Sequence, residues 1–138
     1  MNAVKGSCHC GTVQFTVKLS DGINSARRCD CSLCLRRGAV AVTAMKGDIT
    51  YTAGADNLTL YQFNTKVAEH YFCKTCGIYT HHNRRSNPQE AGINLACLAG
   101  HTPLLPDVVV NDGRNHPTDV GRELNVGVLR FEPERGRQ

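Results

Sequence analysis

The sequence has no tryptophan, and aromatic residues fill only 6% of its 138 positions. Large hydrophobic anchors are scarce, so a second source of stability would help a domain of this size. No stretch approaches the roughly 18 apolar residues of a membrane-crossing helix. The opening residues, MNAVKGSCHC, hold no apolar run of signal-peptide length. No window sustains a 3.6-residue apolar period beyond two turns, which argues against a helical bundle. Repeats and linkers are missing as well. What is left is a single domain over residues 1–138, with a modest core drawn from 41% apolar residues. It is expected in the cytoplasm, away from any membrane.

The strand signals are short and frequent. GTVQFTVKL (11–19) alternates Val13, Phe15 and Val17 against polar neighbours, as a half-buried strand does. AVAVTAM (39–45) reads as a more buried strand, Lys46-Gly47-Asp48 as a turn, and ITYT as the next strand. Gly54-Ala55-Asp56-Asn57 reads as another turn. LTLYQF (58–63), VAEHYF (67–72), GIYTHH (77–82), GINLACL (92–98) and VVV (108–110) complete the series. NRRSNPQ (83–89) is a polar loop whose Arg84 and Arg85 are expected in solvent. From NDGRNHP (111–117) onward the chain turns polar, and residues 131–138 read as a tail. The sum is an all-β domain with one brief helix at most. An edge strand such as LTLYQF could pair with a second copy in a homodimer.

Against that plain background stand eight cysteines. In a reducing compartment, clustered cysteines favour metal over disulfides. Cys8-His9-Cys10 is C-x-C, Cys29-Asp30-Cys31-Ser32-Leu33-Cys34 is C-x-C-x-x-C, and Cys73-Lys74-Thr75-Cys76-Gly77 is C-x-x-C-G. Cys97 stands alone. In C-x-C the two side chains leave an extended segment on one face. In C-x-x-C-G the chain turns tightly, and glycine allows the backbone such a turn needs.

A structural zinc takes four ligands. Cys8 and Cys10 with Cys73 and Cys76 is the economical set. It closes a loop of about 60 residues, where a cross-link removes much unfolded-chain entropy. Cys29, Cys31 and Cys34 remain, enough to hold a second zinc by three sulfurs. Two readings stay open. Cys97, or a histidine such as His81 or His82, could close this site as a second structural zinc. Alternatively its fourth position is left for a ligand, as in a catalytic zinc site. Three thiolates make the ion a weak Lewis acid for water but a good partner for an incoming thiol. If GIYTHH is a strand, His81 and His82 face opposite ways, and only one can reach the site.

The same count alters the charge. The formal net charge is +4. A four-thiolate zinc carries −2 and a three-thiolate zinc −1, so the loaded protein falls to about +1. Basic residues are dispersed, and no aromatic run accompanies them. Nucleic acid is therefore not expected as a partner.

GSCHCGTVQF (6–15), CDCSLCLRRGA (29–39) and YFCKTCG (71–77), in this order and spacing, resemble the glutathione-dependent formaldehyde-activating family. Its domain is shared with the centromere protein V group. The resemblance runs from about residue 5 to 112. It implies an Mss4-like, zinc-bound fold of several short, coiled antiparallel sheets. It also implies two zinc ions per chain, a structural one on Cys8, Cys10, Cys73 and Cys76 and a second on Cys29, Cys31 and Cys34. The implied reaction joins formaldehyde to glutathione as S-(hydroxymethyl)glutathione, which is carbon–sulfur lyase chemistry. Arg36 and Arg37, just past the last ligand, are candidates to hold carboxylates of a small thiol such as glutathione. Asp30 stands where the family often has histidine. The contrasting expectation is a non-catalytic zinc module that carries a small thiol or binds a protein partner.

Overall fold

A computed structural model describes residues 2–122 and 124–134; positions 135–138 of the expected tail lie outside them. Ten strands among the described residues join in one hydrogen-bonded sheet. They are β1 (Val4–Ser7), β2 (Gln14–Leu19), β3 (Arg27–Cys29), β4 (Ala41–Ala53) and β5 (Leu58–Tyr61). There follow β6 (Glu69–Cys73), β7 (Tyr79–Asn83), β8 (Glu90–Asn94), β9 (Val108–Asn111) and β10 (Asn125–Leu129). Two short α-helices, α1 (Ser32–Arg37) and α2 (Pro117–Val120), and two single-turn 3-10 helices, Ala55–Asn57 and Leu95–Cys97, complete the set. The main path runs β10-β9-β3-β4-β8-β7-β6-β5, and β2 joins β1 to β4. The all-β class expected from the sequence is what forms. One pair, β3 with β9, is parallel, so the sheet is mixed. Among the described residues, no helix is long and apolar enough to cross a membrane.

The turn expected at Lys46-Gly47-Asp48 does not form, because β4 runs straight through it. Ala41–Met45 pairs with β8, whereas Ile49–Ala53 pairs with β2. Between the β4 partners Ala44 and Ile49, β2 advances only from Leu19 to Val17. The surplus residues, all exposed, form a bulge that bends the strand. A turn-like sequence is thus spent on curvature, and one strand serves two halves of the sheet.

The core lies where these halves meet. Phe15, Val17 and Leu19 of β2 pack with Val42 and Ala44 of β4 and Ile93 of β8. Their alternation along β2 is the period-2 signal seen in the sequence. Fully burying a side chain such as Phe15 contributes about 2–3 kcal/mol. A smaller cluster of Cys8, Val13 and Cys73 sits at one end.

Three strands escaped the sequence reading. β1 and β3 are too short to show alternation, and β3 is built from Arg27, Arg28 and Cys29. β10 (NVGVL) lies in the stretch read as polar and pairs with β9 at the sheet's edge. Its side chains are exposed on both faces, so it carries no burial pattern to read.

Candidate functional site

At the small cluster, the loop after β1 brings Cys8 and Cys10 to the C-terminal end of β6. Cys73 ends that strand, and Cys76 follows in a tight turn closed by Gly77 N–H to Cys73 O at 2.8 Å. Gly77 has φ +77, the left-handed backbone expected of it. All four sulfurs lie within 4.8 Å of one another. Cys8 Sγ is 3.6 Å from Cys10 Sγ, and Cys10 Sγ is 3.8 Å from Cys73 Sγ. A tetrahedral ion with bonds of about 2.3 Å sets its sulfurs roughly 3.8 Å apart, so the set fits zinc. Val13 N–H and Asn57 Nδ2 each reach a sulfur, Cys8 and Cys73 respectively, at 3.4 Å. Cys76 is lowered to about 6, chiefly by the backbone at Cys10.

The second cluster is Cys29, Cys31 and Cys34. Cys29 ends β3, and Cys31 caps α1, its sulfur accepting from Cys34 N–H at 3.3 Å. Cys31 N–H in turn donates to Cys29 Sγ at 3.4 Å. One turn of helix therefore gathers the three sulfurs. Among the described residues, no histidine nitrogen, carboxylate or further sulfur joins them within 4.8 Å. Cys97 lies elsewhere, buried, its Sγ donating to Tyr79 O at 3.5 Å. Burial pushes that thiol up to about 12. Three sulfurs this close cannot all ionise without a cation between them. Cys31 is driven far down by hydrogen bonding from Cys29, while Cys34 is driven far up, first by Cys29 and then by Cys31. That donor set also suits a soft divalent ion.

The segment after β9 covers this cluster, a part of the site that sequence reading missed. Parallel pairing puts Asn111 beside Cys29. Gly113 N–H then donates to Asp30 Oδ1 at 2.7 Å. Asp112 ties the following turn by accepting from the N–H groups of Arg114 and Asn115. Asp30 is thus a strut for this cover.

The three sulfurs open into a cavity of about 250 Å³ lined by Arg27, Arg28, Arg37, Arg84, Arg85 and Arg114, with Asp112 and Asp119 as its acids. Of the pair read as solvated, Arg84 is buried and Arg85 half-buried. Arg84 is bonded to Glu90, and Arg85 is bonded to Asp119 of α2. The signal in the sequence was slight: an arginine at the end of β7 with a glutamate across a six-residue loop. Arg37 reaches the cluster, with Nη2 3.7 Å from Cys34 Sγ. Its guanidinium also lies 3.7 Å over the Tyr79 ring and donates to His70 Nδ1 at 3.1 Å. Arg36 folds back on α1, donating to Ser32 O.

His81 and His82 face opposite sides, as strand alternation requires. His82 lines the cavity, hydrogen-bonded to the Tyr79 hydroxyl at 2.6 Å and stacked 5.1 Å from His70. His81 packs on Tyr71 and Tyr51. Burial lowers His70 to about 4 and holds His82 well below the ordinary imidazole range, with Arg37 adding to both. The cavity's positive charge therefore belongs to its arginines, and the buried imidazoles stay neutral.

The fold and its two clusters define a class: a small β domain with one four-sulfur and one three-sulfur site, each able to hold a metal ion. The chain belongs to the glutathione-dependent formaldehyde-activating enzyme family, whose model matches residues 3–111. A Halomonas elongata protein named "Putative glutathione-dependent formaldehyde-activating enzyme" is 33% identical over 81 residues, covering 53% of this chain and 51% of its own length. The chain thus spans about half of that curated relative. A crystal structure of a Rhodobacter sphaeroides protein is 61% identical with a TM-score of 0.71, over 72% of this chain and 91% of the other.

Proposed function

We propose that the chain is a zinc-dependent carbon–sulfur lyase acting on the adduct of a small thiol, of glutathione type, with formaldehyde. The observation that carries this is the three-sulfur cluster, which lacks a fourth protein ligand among the described residues and faces an arginine-lined cavity. Two zinc ions per chain are part of the proposal. Cys8, Cys10, Cys73 and Cys76 would hold the structural one, and Cys29, Cys31 and Cys34 the second. Zinc in the second site would supply a Lewis-acidic position that favours a substrate thiol as its thiolate.

The chain's own residues supply the rest. Arg37, beside Cys34, places a cation next to the three-sulfur cluster, and Tyr79 and His70 hold its guanidinium still. The arginine wall attracts the carboxylates of a glutathione-like thiol. The Asp30–Gly113 hydrogen bond fastens the loop after β9 against one side of the sulfurs. The sulfur then bonds to the carbonyl carbon, the C=O pair moves to oxygen, and oxygen takes a proton from water. The reverse releases aldehyde and thiol. Free cysteines suit the reducing cytoplasm, where glutathione is the abundant thiol.

The reaction also runs unassisted, so the test is a rate difference. Exchange NMR of formaldehyde with glutathione should show faster adduct interconversion with the zinc-loaded protein than with Cys31→Ser. Equal rates would sink the enzymatic reading.

A further inference from the structure

We propose that Arg84 anchors a carboxylate of the substrate, so that the thiol is held at both ends: sulfur at the three-cysteine cluster, carboxylate at Arg84. This rests on the function proposed above and specifies its substrate class as a thiol acid.

Arg84 is 6% exposed at the end of β7. Its Nη1 donates to Glu90 Oε1 at 3.1 Å. Its Nη2 is buried and makes no hydrogen bond. The other strong charge bearing on it is Arg27, a like charge. A buried guanidinium with an unmet donor and a cationic neighbour is costly. An oxyanion entering beside it meets the donor and offsets the repulsion.

Two other arginines of this cavity have both terminal nitrogens engaged, and of Arg37 only Nε is unpaired. Arg37 is held by Tyr79, His70 and Cys34. Arg85 is paired through both terminal nitrogens with Asp119. Arg84 spends one terminal nitrogen on Glu90 and keeps the other for a ligand oxygen. It lines the same cavity as the three sulfurs, and about 250 Å³ admits a small molecule and not a folded segment. A neutral thiol would leave the Arg84 donor unmet. Selection for thiol acids over neutral thiols follows.

The test uses the zinc-loaded full chain and two thiols of equal length, 3-mercaptopropionate and 3-mercaptopropan-1-ol, titrated by calorimetry. The acid should bind about 10- to 100-fold tighter. Arg84→Gln should bring that ratio near one and leave the alcohol's affinity within about twofold. An unchanged ratio in Arg84→Gln overturns the proposal. Should Arg84→Gln fail to fold, Arg84→Lys keeps the charge but has no second nitrogen to offer beside the one that meets Glu90. A folded Arg84→Lys with the full ratio overturns the proposal; a reduced ratio supports it. If neither thiol binds the wild type, the thiol reading of the cluster fails, and propionate alone decides the subsite. Propionate binding that disappears in the Arg84 variant supports it, and no propionate binding overturns it.

Discussion

Gly113 and Cys29 are in contact: a Cβ at Gly113 would lie 2.1 Å from Cys29 Sγ and 2.9 Å from Cys31 Cβ. Only a residue without a side chain lets the β9 loop close over the sulfurs. Gly113→Ala should therefore displace either the loop or Cys29, in both cases opening the cluster. The expected outcome is loss of about one zinc per chain with the sheet intact, since the four-sulfur site belongs to β1, β2 and β6. Metal analysis beside far-UV circular dichroism checks it. A variant that keeps both ions contradicts the role given to this contact.

Arg37 couples the cluster to the cavity through its 3.7 Å approach to Cys34. Its cation favours the thiolate over the thiol, for the protein's sulfurs and for an incoming one. Arg37→Gln should weaken thiol binding at neutral pH by about tenfold, in line with a charged hydrogen bond. It should also move the pH of half-maximal thiol binding upward, because deprotonation loses its cation. A loss of affinity with no shift of that midpoint would mean that Arg37 acts only by packing on Tyr79.

His81 gives a pH prediction away from either cluster. Burial lowers it to about 4 from an unfolded value of 6.5, and its Nδ1 is hydrogen-bonded to the Tyr51 hydroxyl. A depressed imidazole contributes stability that is present above the unfolded value and is lost as pH falls from 6.5 through about 4. The full shift corresponds to about 3 kcal/mol. NMR titration should show His81 still neutral at a pH where free imidazole is charged. A midpoint near the ordinary value would contradict its packing between Tyr51 and Tyr71.

The cysteine spacing made the clusters legible, because C-x-C and C-x-x-C bring neighbouring sulfurs together locally, although the union of Cys8 and Cys10 with Cys73 and Cys76 is long-range. Strand alternation likewise placed β2 and put His81 and His82 on opposite faces. What stayed hidden depends on long-range pairing. Arg84 and Arg85 look like surface charges until the β7–β8 loop returns Glu90 to Arg84 and the fold brings Asp119 to Arg85 from 34 positions away. Gly113 looks like one more loop glycine until the parallel β3–β9 pair lays it on Cys29. Lys46-Gly47-Asp48 carries true turn chemistry, but two partner strands convert it to a bulge. Local residues fixed the donors, and topology fixed what surrounds them.

That difference in surroundings separates the two ions proposed here. At the four-sulfur site Cys8 and Cys73 are buried in a packed cluster with Val13, whereas Cys76 is half-buried and Cys10 exposed. This site ties the β1–β2 hairpin to β6, so releasing its ion also releases a long-range cross-link. At the three-sulfur site all cysteines are half-buried and face the cavity. Removing that ion leaves β3 paired to β9 and α1 still capped by Cys31. Chelation should therefore proceed in two phases. The first ion should leave readily, abolishing thiol binding with little change in the far-UV spectrum. The second should leave slowly and take the cooperative thermal transition with it. Release of both ions in a single phase, or unfolding with the first, would contradict the division into a reactive and a structural site.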